Sequence, residues 1–178
     1  VTFGYDSIAP VITINAPAVQ AYLHPDFLTL DFSAVDAGSG MKSIEANLDG
    51  TTVTSGQVID LYTLSLGDHT LTVRAVDNVG NEASASVTFS ISATIQSTIA
   101  GLNRFYNEGK IDKKGIFNSL TKELEGAQAA LDKGQTNAAI NKLEAFINEV
   151  EAQSWKHIAA DAASLLIADA RWGIAHLK

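Results

Sequence analysis

Apolar and polar residues alternate along the first half of the chain. In FLTLDFSAVD (residues 27–36) the apolar side chains fall on one face of an extended strand, and Thr, Asp and Ser fall on the other. The segments HTLTVRAVD (residues 69–77) and ASVTFSIS (residues 85–92) repeat this period of two. Several short alternating runs separated by turn residues predict a sandwich of antiparallel strands. The Asp-Gly pair in LDGTT (residues 48–52) predicts a hairpin turn.

After residue 93 the apolar residues follow a helical spacing. Apolar stripes begin at Ile95, Ile116 and Ile140, and Gly109 and Gly134 follow the first two stripes. This spacing predicts helices, of which two end at a glycine. A fourth helix is predicted over residues 155–177. The change of period therefore predicts two domains, an all-β sandwich at residues 1–93 and an all-α, four-helix bundle-like module at residues 94–178.

The predicted fourth helix is apolar on two sides. Trp155 and Trp172 share one side with Ile158 and Leu165, whereas Ile167 and Ile174 project from the other. Asp169 interrupts the first of these stripes. A helix that is apolar on both sides is usually central to its bundle or covered by a neighbour, and we expect this helix to pack against a neighbour.

Composition and charge narrow the functional classes. The net charge is −8, and it arises in residues 1–93, where eight Asp and two Glu stand against Lys42 and Arg74. An acidic half repels phosphate backbones, so nucleic acid is not an expected partner. The chain has no cysteine, which excludes disulfides and thiolate chemistry. No apolar run approaches the roughly 20 residues of a membrane span, and the first residues lack a signal-peptide pattern. We expect the chain to be a segment of a longer protein.

The first half resembles a bacterial immunoglobulin-like module of secreted, multimodular proteins. The segments that carry this resemblance are IAPVITINAP, FSAVDAGSGMKSIEANLDG and LGDHTLTVRAVDNVGNEASASVTFSI, which together cover most of residues 8–92. The resemblance implies an immunoglobulin-like sandwich. Modules of this kind serve as spacers, adhesive elements or accessories that contact carbohydrate.

The second half resembles the FIMAH-like helical module found at the C-terminus of secreted bacterial hydrolases. The resemblance lies in YNEGKIDKKGIFNSLTKELEGAQAALDKGQTNAAINKLEAFINEVEAQSWKHI and covers roughly residues 95–170. It implies that the chain is secreted or exposed on a bacterial cell surface and has an accessory role. The tail LLIADARWGIAHLK fits this pattern less well.

Aspartates stand at the ends of several predicted strands. In an immunoglobulin-like sandwich, Asp6, Asp36 and Asp77 come close together at one pole, with Asn78 and Asn81 beside them. One interpretation is local, because an Asp at a strand end accepts hydrogen bonds from backbone N–H groups of the following turn. The other is a calcium ion, which takes carboxylate and amide oxygens as ligands. Neither loop has the D-x-[DN]-x-[DN]-G pattern of known calcium loops, and both interpretations remain open.

The histidines and the known catalytic motifs give weaker indications of a functional site than the aspartates do. In the sandwich His24 and His69 fall at the pole opposite the aspartates, where His157 could join them, but no H-x-H or H-E-x-x-H spacing supports zinc. We expect hydrogen bonding between the domains instead. The sequence has no G-x-S-x-G elbow and no glycine-rich phosphate loop, and two small domains predict no cleft that could hold a pair of catalytic carboxylates. Catalysis within this chain is therefore not expected.

Aromatic residues are the remaining candidates for ligand binding, since flat rings stack on the apolar faces of sugars. The candidate ligand-binding residues are Trp155, Trp172 and Tyr22. For the two tryptophans the competing interpretation is core packing, because they share an apolar stripe. Tyr22 lies in VQAYLHPD, which is predicted to be a loop, and it is expected to be the more exposed ring.

These observations predict a non-catalytic accessory region of a secreted bacterial multimodular enzyme or surface protein. Its expected partners are a polysaccharide or cell-surface glycan and an upstream catalytic domain of the same chain, without membrane insertion. The alternative is a structural spacer or protein–protein interaction module that positions neighbouring domains, with Ile167 and Ile174 in its contact surface.

Overall fold

Nine strands precede four helices within residues 5–177, which the computed structural model describes. The strands are β1 (Val11–Ala16), β2 (Ala21–Leu23), β3 (Phe27–Thr29), β4 (Asp31–Val35), β5 (Met41–Leu48), β6 (Thr51–Val53), β7 (Val58–Asp60), β8 (Gly67–Asp77) and β9 (Glu82–Ser92). The helices are α1 (Ile95–Asn107), α2 (Lys114–Leu131), α3 (Thr136–Gln153) and α4 (Ala160–His176). The predicted fold class, a β-sandwich followed by a helical module, is confirmed.

The strands form one five-stranded sheet and two strand pairs. The order in the large sheet is β2-β9-β8-β5-β6, and the pairs are β1-β4 and β3-β7. Alternation along the strands buries one face, which includes Leu28, Leu71, Val73 and Phe89. Such burial is the main source of stability, at roughly 25 cal/mol per Å² of apolar surface.

The predicted Asp-Gly turn joins β5 to β6. Asp49 and Gly50 both have positive φ, at 49° and 90°, and Leu48 pairs with Thr51 across the turn. Positive φ at both central residues defines a type I′ turn, whose twist matches that of the flanking strands. The hairpin prediction is confirmed.

The contacts divide the chain into two compact units. The β unit contains residues 5–22, Phe27–Asp60 and Gly67–Ser90. The helical unit contains residues 91–177 together with two short segments, Leu23–Asp26 and Leu61–Leu66. This division differs from the predicted boundary at residue 93, because it assigns these two segments of the N-terminal half to the helices.

The core of the helical unit is built from the predicted apolar stripes. Its fully buried side chains include Leu102, Phe105, Leu120, Leu124 and Phe146. The side chains of Thr94 and Ser97 form a capping box at the start of α1. Gly109 and Gly134 have positive φ just beyond α1 and α2, as expected for glycines that end helices.

The fourth helix begins later than predicted. The sequence places it from residue 155, but α4 starts at Ala160, and residues 154–159 form a turn in which Ile158 pairs with Ile111. Ile158 is buried in the helical core, so its apolar character reflects this pairing and not a helical stripe. The two-sided apolarity of α4 has a simple cause, since α4 packs against both α1 and α3. Ile167 and Ile174 are half-buried against the same core.

The helices within residues 5–177 include none that is both long enough and apolar enough to cross a membrane.

Candidate functional site

Three aspartates that are far apart in the sequence converge in the β unit. One carboxylate oxygen from each of Asp6, Asp36 and Asp77 lies within 4.8 Å of the others. Asp77 is fully buried, and the other two are half-buried. The convergence that the sandwich topology implied is therefore present in the structure.

Backbone N–H groups already hold the buried member of this cluster. Oδ1 of Asp77 accepts hydrogen bonds from the N–H groups of Val79, Gly80 and Asn81, at 2.9, 2.6 and 2.8 Å. The side-chain amide of Asn81 donates to Asp77 Oδ2 at 2.7 Å. Burial by itself would raise the pKa of Asp77, but these donors outweigh it and hold the pKa below its ordinary value of 3.8.

The other two aspartates are also used in turns. Oδ1 of Asp36 accepts from the N–H groups of Gly38 and Gly40, at 3.2 and 2.8 Å. Asp6 accepts from the N–H groups of Ile8 and Ser39, at 3.0 and 2.7 Å, and these two bonds lower its pKa. The geometry thus supplies the predicted turn hydrogen bonds.

Asn78 and Asn81 connect the loops of the cluster. The Asn78 amide donates to the Ser39 carbonyl at 2.7 Å, and the Asn81 amide donates to the Asp6 carbonyl at 3.2 Å. Both amide nitrogens therefore face protein acceptors. Calcium binding at Asp6, Asp36, Asp77, Asn78 and Asn81 stays a prediction.

Each of the three histidines considered above has a carboxylate partner of its own. His69 Nδ1 donates to Asp49 Oδ2 at 2.5 Å within the β unit. His157 Nδ1 donates to Asp112 Oδ1 at 3.0 Å within the helical unit. Both of these hydrogen bonds lie within a single unit, whereas the sequence predicted hydrogen bonding between the domains. The partners of these histidines were not foreseen.

His24 belongs to a buried polar cluster within the helical unit. Its Nδ1 donates to Asp169 Oδ1 at 2.5 Å, and the hydroxyl of Tyr62 donates to Asp169 Oδ2 at 3.3 Å. His24 is 2% exposed and Asp169 is fully buried. One sequence signal pointed to this cluster, the position of Asp169 inside an apolar stripe. Its partners could not be identified from the sequence, because they lie more than a hundred residues away.

Trp155 is the most exposed of the large apolar side chains in the described part of the chain. It is 86% exposed and does not lie on α4. Its φ is +67°, a left-handed conformation that is rare for a bulky residue. The competing interpretation, core packing of Trp155 on a helical stripe, is wrong because the helix begins five residues later.

Trp155 borders a groove of about 390 Å³ in the helical unit. Besides Trp155, the lining includes Lys110, Asp112, Lys156 and His157. The two walls are joined by backbone hydrogen bonds, from Asp112 N–H to the His157 carbonyl at 3.1 Å and from Ala159 N–H to the Lys110 carbonyl at 2.8 Å. The groove is therefore supported by backbone pairing and not by side chains alone.

Charged partners fix the side chains around the groove. Lys110 Nζ donates to Asp161 Oδ2 at 2.9 Å and lies 3.6 Å from a Glu108 oxygen. The bond to Asp161 raises the pKa of Lys110 and lowers that of Asp161. Because Lys110 is held by these carboxylates and His157 by Asp112, the groove presents polar groups whose positions are set before a ligand arrives.

The other two predicted ligand-binding aromatics lie elsewhere and are less exposed. Trp172 is half-buried on α4 and stacks on His176 with ring centroids 4.3 Å apart. Tyr22 lies in strand β2 and not in a loop. Its hydroxyl accepts from the Ala18 N–H at 2.9 Å, and its ring meets the edge of Phe89. The expectation that Tyr22 is the more exposed ring is wrong.

Comparison with known protein families identifies the helical half. Residues 95–175 match the FIMAH domain. The resemblance inferred from the sequence is confirmed, and the Trp155 groove lies within the residues that match. FIMAH domains are accessory, non-catalytic domains.

Two solved structures align with part of the chain at low identity. The fibronectin(III)-like modules of Clostridium thermocellum CbhA align with a TM-score of 0.39 and 18% identity, over 47% of this chain and 47% of theirs. An endo-beta-1,4-mannanase from Thermotoga petrophila aligns with a TM-score of 0.40 and 10% identity, over 50% of this chain and 21% of its own. The chain thus spans about half of the first and a fifth of the second, and neither likeness carries functional information. Among curated proteins, none matches the chain significantly.

Proposed function

We propose that this chain is the accessory, non-catalytic part of a secreted bacterial multimodular enzyme, and that its FIMAH domain contacts polysaccharide at the Trp155 groove. The FIMAH match supports the accessory role. The geometry around Trp155 supports the contact with polysaccharide. The catalytic partner belongs to the same proposal and lies upstream in a longer chain.

The observation that carries this proposal is the combination of exposure and backbone strain at Trp155. A left-handed conformation costs a non-glycine residue roughly 1–2 kcal/mol. At 86% exposure the indole makes few contacts that could offset this cost. Residues held in such conformations cluster at binding sites, where the surrounding structure imposes them. A sugar ring stacked on the indole would supply the missing contacts.

The polar lining of the groove suits the hydroxyl groups of a sugar. Asp112 offers carboxylate oxygens as acceptors, whereas Lys110, Lys156 and His157 offer donors. A volume of about 390 Å³ falls at the small end of ligand sites, which typically run from roughly 300 to 1,000 Å³. Such a groove would hold a short stretch of a polymer chain, with the rest of the chain running across the surface.

The same lining supports the non-catalytic part of the proposal. Hydrolysis of a glycosidic bond usually requires two carboxyl groups roughly 5–10 Å apart across the bond. Among the described residues that line the groove, Asp112 is the one carboxylate, and it is hydrogen-bonded to His157. We infer that the groove binds a glycan without cleaving it.

Retention on insoluble polysaccharide tests this proposal. We expect Trp155→Ala to lower retention about tenfold, because truncation of a central aromatic contact typically costs more than 1 kcal/mol. The matched control is Tyr5→Ala, since Tyr5 is also highly exposed, at 82%, but lies in the β unit. Circular dichroism of each variant would verify that it is folded. Equal retention of the wild type and Trp155→Ala on every polymer tested would refute the groove as the contact site.

The alternative function, a spacer or interaction module, loses part of its basis. It assigned Ile167 and Ile174 to a contact surface, but both side chains are half-buried against the helical core.

A further inference from the structure

The helical unit includes two segments that precede the FIMAH domain by at least 29 residues in the sequence. We call Leu23–Asp26 and Leu61–Leu66 the docked segments. They bond to each other, since the Leu61 N–H donates to the Asp26 carbonyl at 3.1 Å. The His24 N–H also donates to the carbonyl of Ser92, the last residue of β9, at 3.0 Å. His24 and Tyr62 are both buried.

Helix α4 places a fully buried carboxylate against the docked segments. An ionised carboxylate is expensive to bury unless hydrogen bonds compensate for the lost water. His24 and Tyr62, which donate to the two oxygens of Asp169, both belong to the docked segments. Without these segments, the core of the helical unit would contain a carboxylate that lacks both donors.

Helix α1 provides a notch for the same segments. A Cβ atom at Gly101 would lie 1.9 Å from the Tyr62 hydroxyl and 3.8 Å from Cβ of Pro25. The Tyr62 ring cannot move aside easily, because it stacks on Phe105 with ring centroids 5.0 Å apart. Arg104 lies over the same ring and donates from Nη1 to the Pro25 carbonyl at 3.2 Å.

We propose that the helices of residues 95–177 form an acceptor surface for the docked segments of their own chain, with Gly101 as the notch and Asp169 as the polar anchor. The docked segments fit this surface because they present a tyrosine hydroxyl and an imidazole side by side. The FIMAH domain of this chain is therefore an incomplete folding unit without residues 23–26 and 61–66. This inference is independent of the proposed glycan site, which involves none of these residues.

Substitution of helical glycines in the full chain tests the notch. Replacing an exposed glycine inside a helix by alanine normally stabilises the helix. We expect Gly101→Ala to do the reverse and to raise the equilibrium constant of unfolding about tenfold or more, as overpacking does. The control is Gly115→Ala in α2, where an added Cβ meets nothing within 4 Å. Urea unfolding followed by tryptophan fluorescence reports the helical unit, because Trp155 and Trp172, the two tryptophans of the chain, both lie there.

A double-mutant cycle with Tyr62→Phe assigns the effect to the docked segment. Removal of the hydroxyl removes the atom at 1.9 Å, so Tyr62→Phe is expected to restore part of the stability that Gly101→Ala loses. In the wild-type background the same substitution is expected to destabilise, because it removes a donor to Asp169. The proposal is overturned if Gly101→Ala behaves like Gly115→Ala, or if the effects of the two substitutions simply add.

Discussion

At the scale of single residues, positive φ values mark two side chains with different roles. Trp155 and Asp49 are the non-glycine residues with positive φ among those described. Asp49 has a structural reason for its conformation, since its carboxylate accepts from His69 Nδ1 at 2.5 Å and from the Thr70 N–H at 2.9 Å. Trp155 also has a backbone reason for its conformation, since its N–H donates to the Ile158 carbonyl at 3.0 Å, but its indole is exposed, so the side chain itself adds little to the fold.

Trp155→Gly therefore should separate stability from binding. Glycine adopts left-handed φ values without steric cost, so we expect the free energy of unfolding to stay unchanged or rise by up to about 1 kcal/mol. Retention on polysaccharide should fall as it does for Trp155→Ala. The measurements are urea unfolding followed by circular dichroism and the retention assay.

The matched variant is Asp49→Gly, which should destabilise the protein because His69 loses its carboxylate partner. If Trp155→Gly destabilised the protein as much as Asp49→Gly does, the indole would be a structural element, and the argument from strain would fail.

At the scale of elements, the period of the apolar residues predicted most of the fold. The strands and the first three helices follow from local spacing and turn residues, as the Asp49-Gly50 hairpin and the glycines after α1 and α2 show. The start of α4 was mispredicted because Ile158 continues the helical spacing by chance, while its burial comes from pairing with Ile111. Periodicity cannot distinguish a residue buried by its own helix from one buried by a distant strand-like segment.

Local sequence patterns also predicted only some of the contacts at the candidate sites. The sandwich topology implied that Asp6, Asp36 and Asp77 would meet, and they do. The partners of Asp169 could not be inferred, because a contact between Asp169 and His24 spans 145 residues and has no local signature. Trp155 was selected for its chemistry, but its exposure depends on a turn that the sequence pattern presented as a helix.

The aspartate loops should lose stability in acid. The pKa values of Asp6 and Asp77 are lowered in the folded protein, so these groups contribute stability that is fully present above their ordinary value of 3.8. This contribution is lost as the pH falls below 3.8 through the lower folded values. We expect the melting temperature to fall in this range even with EDTA present, because backbone N–H groups stabilise the carboxylates.

Asp77→Asn is the test variant for this pH dependence. It should lower the melting temperature at neutral pH and flatten its fall in acid, since Asn cannot take up the proton. Calcium addition at pH 7 distinguishes the two interpretations of the cluster, because a rise in melting temperature reversed by EDTA requires a bound cation. An unchanged acid profile in Asp77→Asn would contradict the role assigned to these hydrogen bonds.

At the scale of the whole molecule, charge is unevenly distributed along the chain. Residues 1–93 carry the entire net charge of −8, whereas residues 94–178 have ten acidic and ten basic side chains. The Trp155 groove belongs to the neutral half, and its Lys110 is hydrogen-bonded to Asp161. A chain with this distribution attracts no polyanion over long range, and its groove offers hydrogen bonds and an aromatic face instead.

The expected ligand is therefore a neutral polysaccharide, bound by contacts that salt does not screen. Retention on an insoluble neutral polymer such as cellulose or mannan should change little between about 0.05 and 0.5 M salt, over which the Debye length shrinks several-fold. Retention on a uronate-containing polymer should be weaker at low salt, because the net charge of −8 repels it. Trp155→Ala serves as the control in both series of measurements, and it should remove only the part of the retention that does not depend on salt. Tight retention on the anionic polymer that declines as salt is added would show that Lys110 and Lys156 dominate the groove, and the neutral-glycan assignment would then be wrong.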